Sequence, residues 1–177
     1  YDLFSAYSAL IYATPVIGGY LADKYIGFRH AIFLGGFLYL IGYFLLASGS
    51  HQLFFIALAL LIAGNGFFKS CVSSLLGTLY NEKDPRRDSG FTIFYMGINI
   101  GSAFAPLITT FLANTYGWGY GFASAAIGMI IALATFYSGL KYLEGHGLAP
   151  DDNQFAQTKF LGIKAPYILY SSVLVFI

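Results

Sequence analysis

The chain has 177 residues, of which 58% are hydrophobic and only 10% charged, and its net charge is +1. A soluble domain carries roughly 25% charged residues, so this sequence lacks the polar side chains that would cover a water-facing surface. The balanced charge argues against a nucleic-acid partner, and a single cysteine, Cys71, excludes an internal disulfide framework. These properties predict an all-α protein whose helices cross a membrane several times.

Hydrophobic segments predict five complete membrane spans. A spanning helix needs about 20 mostly apolar residues, because the hydrocarbon core is ~30 Å thick and each residue rises ~1.5 Å. Three such stretches, broken at most by Lys69, are 3–21, 31–50 and 53–77. A fourth charge-free stretch, 90–140, is too long for one span, and its turn-forming residues 114–117 divide it into helices near 91–113 and 118–140.

The rest of the chain is different in character. The polar segment 142–164 contains Gly, Pro and two adjacent aspartates, and it predicts a cytoplasmic linker. The apolar run 165–177 is shorter than a span, and we expect it to be the start of a further, truncated helix. The predicted organisation is therefore transmembrane helices in 1–141, a linker in 142–164 and the next helix from 165.

Charge placement predicts the orientation of the helices. Apart from Lys69, every Lys and Arg lies in one of three alternate loops or linkers: Lys24, Arg29, Lys83, Arg86, Arg87, Lys141, Lys159 and Lys164. The other loops, near 49–52 and 114–118, carry none. By the positive-inside rule the basic loops are cytoplasmic, so Tyr1 is outside and an odd number of spans, most simply one, precedes it. The five spans would then be helices 2 to 6 of a longer protein.

A glycine-rich, charged segment joins the first two spans, running from Gly18 through Gly19, Asp23 and Gly27 to Arg29. Glycines permit a tight turn and close helix approach. The Asp23 carboxylate is placed to meet Arg29 or the positive N-terminal end of a nearby helix. An ordinary charged loop that only fixes topology is the alternative interpretation.

The third span carries a lysine. Lys69 lies only a few residues from the middle of its span, where insertion of a lysine costs roughly 2.5–3.5 kcal/mol. We therefore expect it to face a water-filled cavity or a carboxylate, with Asn65 one turn earlier on the same face. A lysine that extends to the membrane interface is the alternative.

The fourth span offers a second polar face. Tyr95 and Asn99 are one helical turn apart, and an asparagine amide provides both donors and acceptors, as the backbone of a bound peptide requires. Asparagine can equally join two helices, and the residues alone do not separate these interpretations. The charged cluster 86–88 at the start of this span is expected to be a solvated anchor.

Together these segments resemble the proton-dependent oligopeptide transporter family of the major facilitator superfamily. The segment G-x-L-A-D-x-x-x-G-x-R, from Gly19 to Arg29, resembles the superfamily's cytoplasmic loop, and its extra residue, Tyr25 or Ile26, is a feature of the peptide-transporter branch. The segment G-N-G-x-F-K, from Gly64 to Lys69, resembles the family's fourth helix. The resemblance covers about 3–140 and implies a fold: helices 2 to 6 of an N-terminal six-helix bundle, plus the start of a further helix.

The resemblance also implies an activity. Such a protein has twelve helices in two bundles and moves di- and tripeptides with protons across the plasma membrane, the inner membrane of the cell, by alternating access. Its expected partners are the peptide, protons and the lipid bilayer. It would also need an upstream first helix with a Glu-x-x-Glu-Arg proton motif and a C-terminal bundle. No cofactor is expected, and the proton is the coupling ion.

Roles for individual residues follow from the resemblance. Lys69 would take part in proton coupling and bind the peptide carboxylate, while Tyr12 and Asn99 would line the peptide site, with Asn65 and Tyr95 as further candidates. Gly19, Asp23, Gly27 and Arg29 would form a cytoplasmic gating motif that latches this side and loosens as the transporter alternates.

Three other functions compete with peptide transport. A carrier for nitrate or another small solute would use the same scaffold. A membrane-embedded enzyme needs metal ligands or a nucleophile–base pair, but His30, His51 and His146 lie in or beside loops, so we expect neither an enzyme nor a metal site. A purely structural membrane protein would not need Lys69.

Overall fold

Five long helices make up most of the computed structural model, which describes residues 2–81 and 83–149 together with two short strands. The helices are α1 (Asp2–Leu21), α2 (Phe28–Ala47), α3 (His51–Thr78), α4 (Arg86–Tyr116) and α5 (Trp118–Gly139). The strands are β1 (Lys159–Phe160) and β2 (Ile163–Lys164), an antiparallel pair inside the predicted linker, with Lys159 opposite Lys164. The predicted further helix, 165–177, lies outside the described residues.

The expectation of a polytopic helical protein is confirmed. Within the described residues, four helices are long and apolar enough to cross a membrane: α2, α3, α4, and α5 with its extension to Tyr142. Helix α1 has a spanning length of 20 residues and contains three tyrosines and Pro15.

The boundaries of the helices differ somewhat from the prediction. Helix α4 begins at Arg86, earlier than expected, and continues to Tyr116. The break before α5 is therefore a single residue, Gly117, whose φ of 106° is outside the helical range and is readily adopted only by glycine. One glycine is enough here, because the next helix starts at once and no loop has to be spanned.

Helix α3 is the centre of the bundle. It packs along α1 on one side and α2 on the other, while α5 packs against α2, and α4 packs chiefly against α5. The largest fully buried side chains are Ile32 and Leu38 of α2 and Cys71 of α3. Helix α4 contributes one buried residue, Ala113. The core of the bundle is therefore built mainly by α2 and α3, together with Ala22 and Ile26 of the turn that follows α1, and α4 lies at its edge.

Consecutive helices run in opposite directions, so successive turns lie alternately at the two ends of the bundle. At one end, Gly119 at the start of α5 approaches the carbonyl of Ala47 at the end of α2. At the other end, Gly147 lies beside Arg29 and Leu75. All the predicted basic turns in the described residues fall at this second end.

Candidate functional site

The segment Gly64-Asn65-Gly66 of α3 is where three helices cross. A Cβ added to Gly18 of α1 would lie 2.2 Å from the carbonyl oxygen of Gly66. On the other side of α3, a Cβ added to Gly35 of α2 would lie 2.8 Å from the carbonyl oxygen of Gly64. The backbones of α1 and α2 therefore touch α3 directly, the close approach that small residues allow in lipid.

Asn65 lies between these two crossings and connects them. Its Nδ2 donates a hydrogen bond to the carbonyl of Ile11 in α1 at 2.5 Å. The hydroxyl of Tyr39 in α2 donates to its Oδ1 at 2.9 Å. The side chain is buried, and both ends of the amide are used. The structure therefore gives Asn65 a packing role, and its predicted place in the pocket lining stays a prediction.

Lys69 follows Asn65 by one helical turn and is exposed. Its ammonium lies 5.4 Å from the centre of the Tyr12 ring of α1, within the range of a cation–π interaction. Tyr12 itself is 75% exposed. Among the described residues the one ion pair joins Arg86 to Asp84, so Lys69 has no carboxylate partner there. The geometry is an ammonium held on one side by an aromatic face, with its other side open.

The two predicted residues of α4 do not join this pair. Tyr95 and Asn99 are both exposed, and the Tyr95 ring contacts Phe91 and Phe94 of its own helix. In the part of the chain that the structure describes, no hydrogen bond or ring contact links either residue to Lys69 or Tyr12. The structure thus brings together two of the predicted site residues and leaves the α4 residues on a separate, open face.

A groove of about 590 Å³ is lined by residues of α2, α3, α4 and α5. Tyr43 and Phe68 lie on one side of it. The opposite side is lined mainly by small residues of α4 and α5: Gly101, Ala105, Thr109, Ser124, Ala125, Gly128 and Ala132. It is an apolar, helix-lined groove rather than a polar ligand pocket.

The turn between α1 and α2 accommodates the extra residue of its motif as a π-helical turn, Ala22–Ile26. Its closing hydrogen bond runs from the Gly27 N–H to the Ala22 carbonyl at 2.8 Å, five residues back instead of four, which is how one inserted residue fits without unwinding a helix. Gly27 then ends the turn with a φ of 83°. Gly19 lies earlier, where α1 approaches Ser70 of α3.

The charges of this turn are not arranged as expected. Asp23 is exposed and, within the described residues, makes no ion pair with Arg29. Lys24 donates a hydrogen bond to the Tyr20 hydroxyl at 3.2 Å, and this bond raises the pKa of the Lys24 ammonium. Of the two partners expected for Asp23, Arg29 is therefore wrong, because the π-helical turn leaves Asp23 in solvent while Arg29 points elsewhere.

Arg29 instead binds the segment that follows α5. Its Nε donates to the His146 carbonyl at 2.6 Å, and its backbone N–H donates to the Gly147 carbonyl at 3.0 Å. Sequence reasoning missed this contact, since the two segments are far apart in the chain. The sequence feature that indicates a tight turn after α5 is the pair of glycines Gly145 and Gly147, and both adopt positive φ in the structure.

The described residues contain no group of three His, Cys, Asp or Glu side chains that could hold a metal ion.

Comparison with known proteins gives consistent matches. A model of the POT family matches residues 29–165. The dipeptide and tripeptide permease A of Yersinia pestis is 43% identical over 151 residues, which are 84% of this chain and 30% of that protein. The dipeptide and tripeptide permease A of Serratia proteamaculans (strain 568) is 40% identical over 161 residues, 90% of this chain and 32% of that protein. The chain thus spans about a third of the length of these relatives.

Solved structures agree in fold. A crystal structure of a peptide transporter POT in complex with sulfate has a TM-score of 0.79 and 37% identity, and the match covers 98% of this chain and 35% of that one. A POT family transporter in complex with 5-aminolevulinic acid has a TM-score of 0.77 and 32% identity, covering 97% of this chain and 35% of that one.

Proposed function

Because the chain belongs to the POT family, we propose that it forms part of a proton-coupled transporter of di- and tripeptides that works by alternating access. The relatives named dipeptide and tripeptide permease support this substrate class. The observation that carries the proposal is Lys69, an exposed lysine within a membrane-spanning helix whose ammonium lies 5.4 Å from the centre of the Tyr12 ring. Nothing in the comparisons favours a nitrate carrier or an enzyme.

Lys69 is suited to bind a peptide carboxylate. An ammonium has three donors, and the Tyr12 ring holds it through its π face without occupying a hydrogen bond. The donors therefore remain available for the carboxylate of a peptide, in a charge-assisted bond stronger than one between neutral groups. Proton coupling follows if a proton binds close to Lys69 and the peptide carboxylate binds to Lys69, one after the other, so that each event alters the net charge around the ammonium.

Asn99 is suited to bind the peptide from another direction. Its side-chain amide is exposed and has no hydrogen-bond partner among the described residues. The amide offers both a donor and an acceptor, which matches a peptide bond. Tyr95, one turn away on the same helix, would extend this wall of the site with an aromatic ring.

The remaining partners are further helices of the same protein. The groove between α4, α5 and the rest of the bundle is apolar and lined by small residues, and these properties suit a transmembrane helix packed at close range. We propose that the upstream first helix lies there and that a second bundle faces Lys69 and Asn99. The charged turns would face the cytoplasm, and the membrane would be the plasma membrane.

Lys69→Ala in the full-length protein tests this function. Reconstituted in proteoliposomes, the variant should lose proton-driven accumulation of a labelled dipeptide, while Lys24→Ala, which removes an exposed lysine of the turn, should retain it. Unlabelled dipeptide should compete with the label, and nitrate should not. Accumulation by the Lys69→Ala protein at the parent level would overturn the role of Lys69, and competition by nitrate alone would overturn the substrate class.

Tyr12 provides a second test of the same pair. Tyr12→Phe keeps the aromatic face under Lys69, and Tyr12→Leu removes it. A cation–π interaction contributes about 0.5–1 kcal/mol at exposed sites, so we expect Tyr12→Leu to weaken dipeptide affinity about threefold relative to Tyr12→Phe. Equal affinities of the two variants would show that the ring contact has no part in binding.

A further inference from the structure

The segment Leu143–Ala149, which we call the strap, runs from the end of α5 back across the bundle. Leu143 packs against the buried core at its start. The His146 N–H then donates to the Leu143 carbonyl at 2.7 Å, which turns the chain. Glu144, Gly145 and Gly147 all have positive φ, so the backbone of the strap turns sharply at three of its seven residues.

The strap touches two other helices of the bundle. A Cβ added to Gly147 would lie 2.3 Å from Leu75 of α3. A Cβ added to Gly27, in the turn before α2, would lie 2.5 Å from the backbone nitrogen of Ala149. The strap therefore joins the end of α5 to α3 and to the α1–α2 turn.

Arg29 is the side chain that holds the strap. Besides its backbone bond to Gly147, its Nε donates to the His146 carbonyl at 2.6 Å. A guanidinium donor makes this a strong, charge-assisted bond. Yet the Nη2 of Arg29 is buried and has no hydrogen-bond partner among the described residues, which is unfavourable. The guanidinium therefore uses its Nε, but not its Nη2, to hold the strap.

We propose that Arg29 is a positioning residue that fastens the strap, and that the strap detaches from Arg29 whenever the α1–α2 turn moves during transport. Because Arg29 lies in the first turn of α2 and the strap follows the end of α5, a movement of one relative to the other would break the Arg29–His146 bond. The second half of this inference rests on the proposed transport function, whereas the first half does not.

The test is the reactivity of a single cysteine placed by Ala149→Cys in the full-length protein, with every other cysteine, Cys71 included, replaced by serine. In inside-out membrane vesicles, a membrane-impermeant maleimide reports how far the strap is exposed. Loss of a hydrogen bond to a charged group should make Arg29→Gln react about tenfold faster than the parent. Arg29→Lys should react at an intermediate rate, since lysine keeps the positive charge but lacks the planar N–H donors of the guanidinium. Arg86→Gln, at an exposed arginine of the same end, should react at the parent rate.

A pair of glycine variants checks the result independently of Arg29. Gly145→Ala and Gly147→Ala both force alanine into positive φ, but only the second drives a methyl group into Leu75. Position 149 should therefore react faster in Gly147→Ala than in Gly145→Ala. If position 149 reacts at the parent rate in both Arg29→Gln and Gly147→Ala, then the strap is not fastened by these contacts and the inference is refuted.

Coupling to transport is measured in the same vesicles. Dipeptide together with a proton gradient should change the reaction rate of position 149 at least about twofold, in the direction of faster reaction. An unchanged rate in vesicles that accumulate dipeptide would overturn the coupling. A protein that accumulates no dipeptide, yet still exposes position 149 on Arg29→Gln, would refute the proposed function and leave the fastening role of Arg29 standing.

Discussion

Helices α3 and α4 carry similar residues but use them differently. Both are long, with 28 and 31 residues, and each has an asparagine flanked by glycines: Asn65 between Gly64 and Gly66 in α3, and Asn99 between Gly97 and Gly101 in α4. In α3 these three residues are buried and hold the bundle together. In α4 all three are exposed, and a Cβ at either glycine would meet nothing within 4 Å.

The difference shows that composition does not decide whether a polar residue in a membrane helix packs or binds. Helices α1 and α2 lie so close to α3 that both ends of the Asn65 amide form hydrogen bonds with them, to the Ile11 carbonyl and from the Tyr39 hydroxyl. No described backbone approaches Asn99 in this way, so its amide remains open to a ligand or another helix. Variants in the two helices should therefore separate effects on stability from effects on transport.

The largest effect should come from the α1–α3 crossing. Gly18→Ala places a methyl group 2.2 Å from the Gly66 carbonyl oxygen, and because backbone atoms cannot rotate away, we expect a loss of about 1–3 kcal/mol. The measurement is the midpoint of thermal unfolding of the purified full-length protein in detergent. Gly77→Ala, where the nearest atom would be 3.8 Å away, is the control and should unfold at the parent temperature or slightly above. Equal midpoints for the two variants would contradict the close crossing.

A smaller loss of stability should follow from Asn65→Ala. This change removes two hydrogen bonds between helices and leaves the Tyr39 hydroxyl and the Ile11 carbonyl without their partner. Hydrogen bonds between membrane helices contribute about 0.6–1.7 kcal/mol each, so a total loss of about 1–2 kcal/mol is expected in the same unfolding measurement. Tyr39→Phe should lose only part of this stability, because it removes one of the two hydrogen bonds of Asn65. An Asn65→Ala protein with parent stability and weakened dipeptide binding would show that Asn65 serves the site instead of the packing.

The smallest effect on stability, and the clearest effect on binding, should come from Asn99→Ala. Since the amide is exposed and unpaired among the described residues, unfolding should change by less than about 0.5 kcal/mol. Loss of one hydrogen bond to the peptide, about 1 kcal/mol, should raise the KM for dipeptide uptake about fivefold. If Asn99→Ala instead lowers stability as much as Asn65→Ala does, then Asn99 packs against another helix of the full-length protein, and the contrast between α3 and α4 disappears.

Much of this architecture could be predicted from the sequence. Hydropathy alone located the helices, because a membrane span requires a fixed length of apolar residues, and one glycine, Gly117, was enough to divide the longest apolar stretch. The family resemblance assigned both Lys69 and Tyr12 to one site without predicting a contact between them, and in the structure the two side chains meet.

The contacts between helices were not predictable in the same way. Asn65 and Asn99 satisfied the same sequence criterion, a polar amide within a span, and no local property distinguishes them. Arg29 was one of two partners expected for Asp23, six residues earlier, but it binds the carbonyl of His146, 117 residues later in the chain. A charged side chain takes the strongest acceptor that the fold brings within reach, and that acceptor is here a backbone carbonyl, which every residue possesses and no sequence pattern marks.

The sequence by itself therefore determined which segments are helices and which residues are chemically able to bind a peptide. Only the tertiary structure decided which of those residues remain free to do so. The physical reason is that helix formation in a membrane depends on local length and hydropathy, whereas the use of each amide, glycine and guanidinium depends on how closely a distant backbone approaches it.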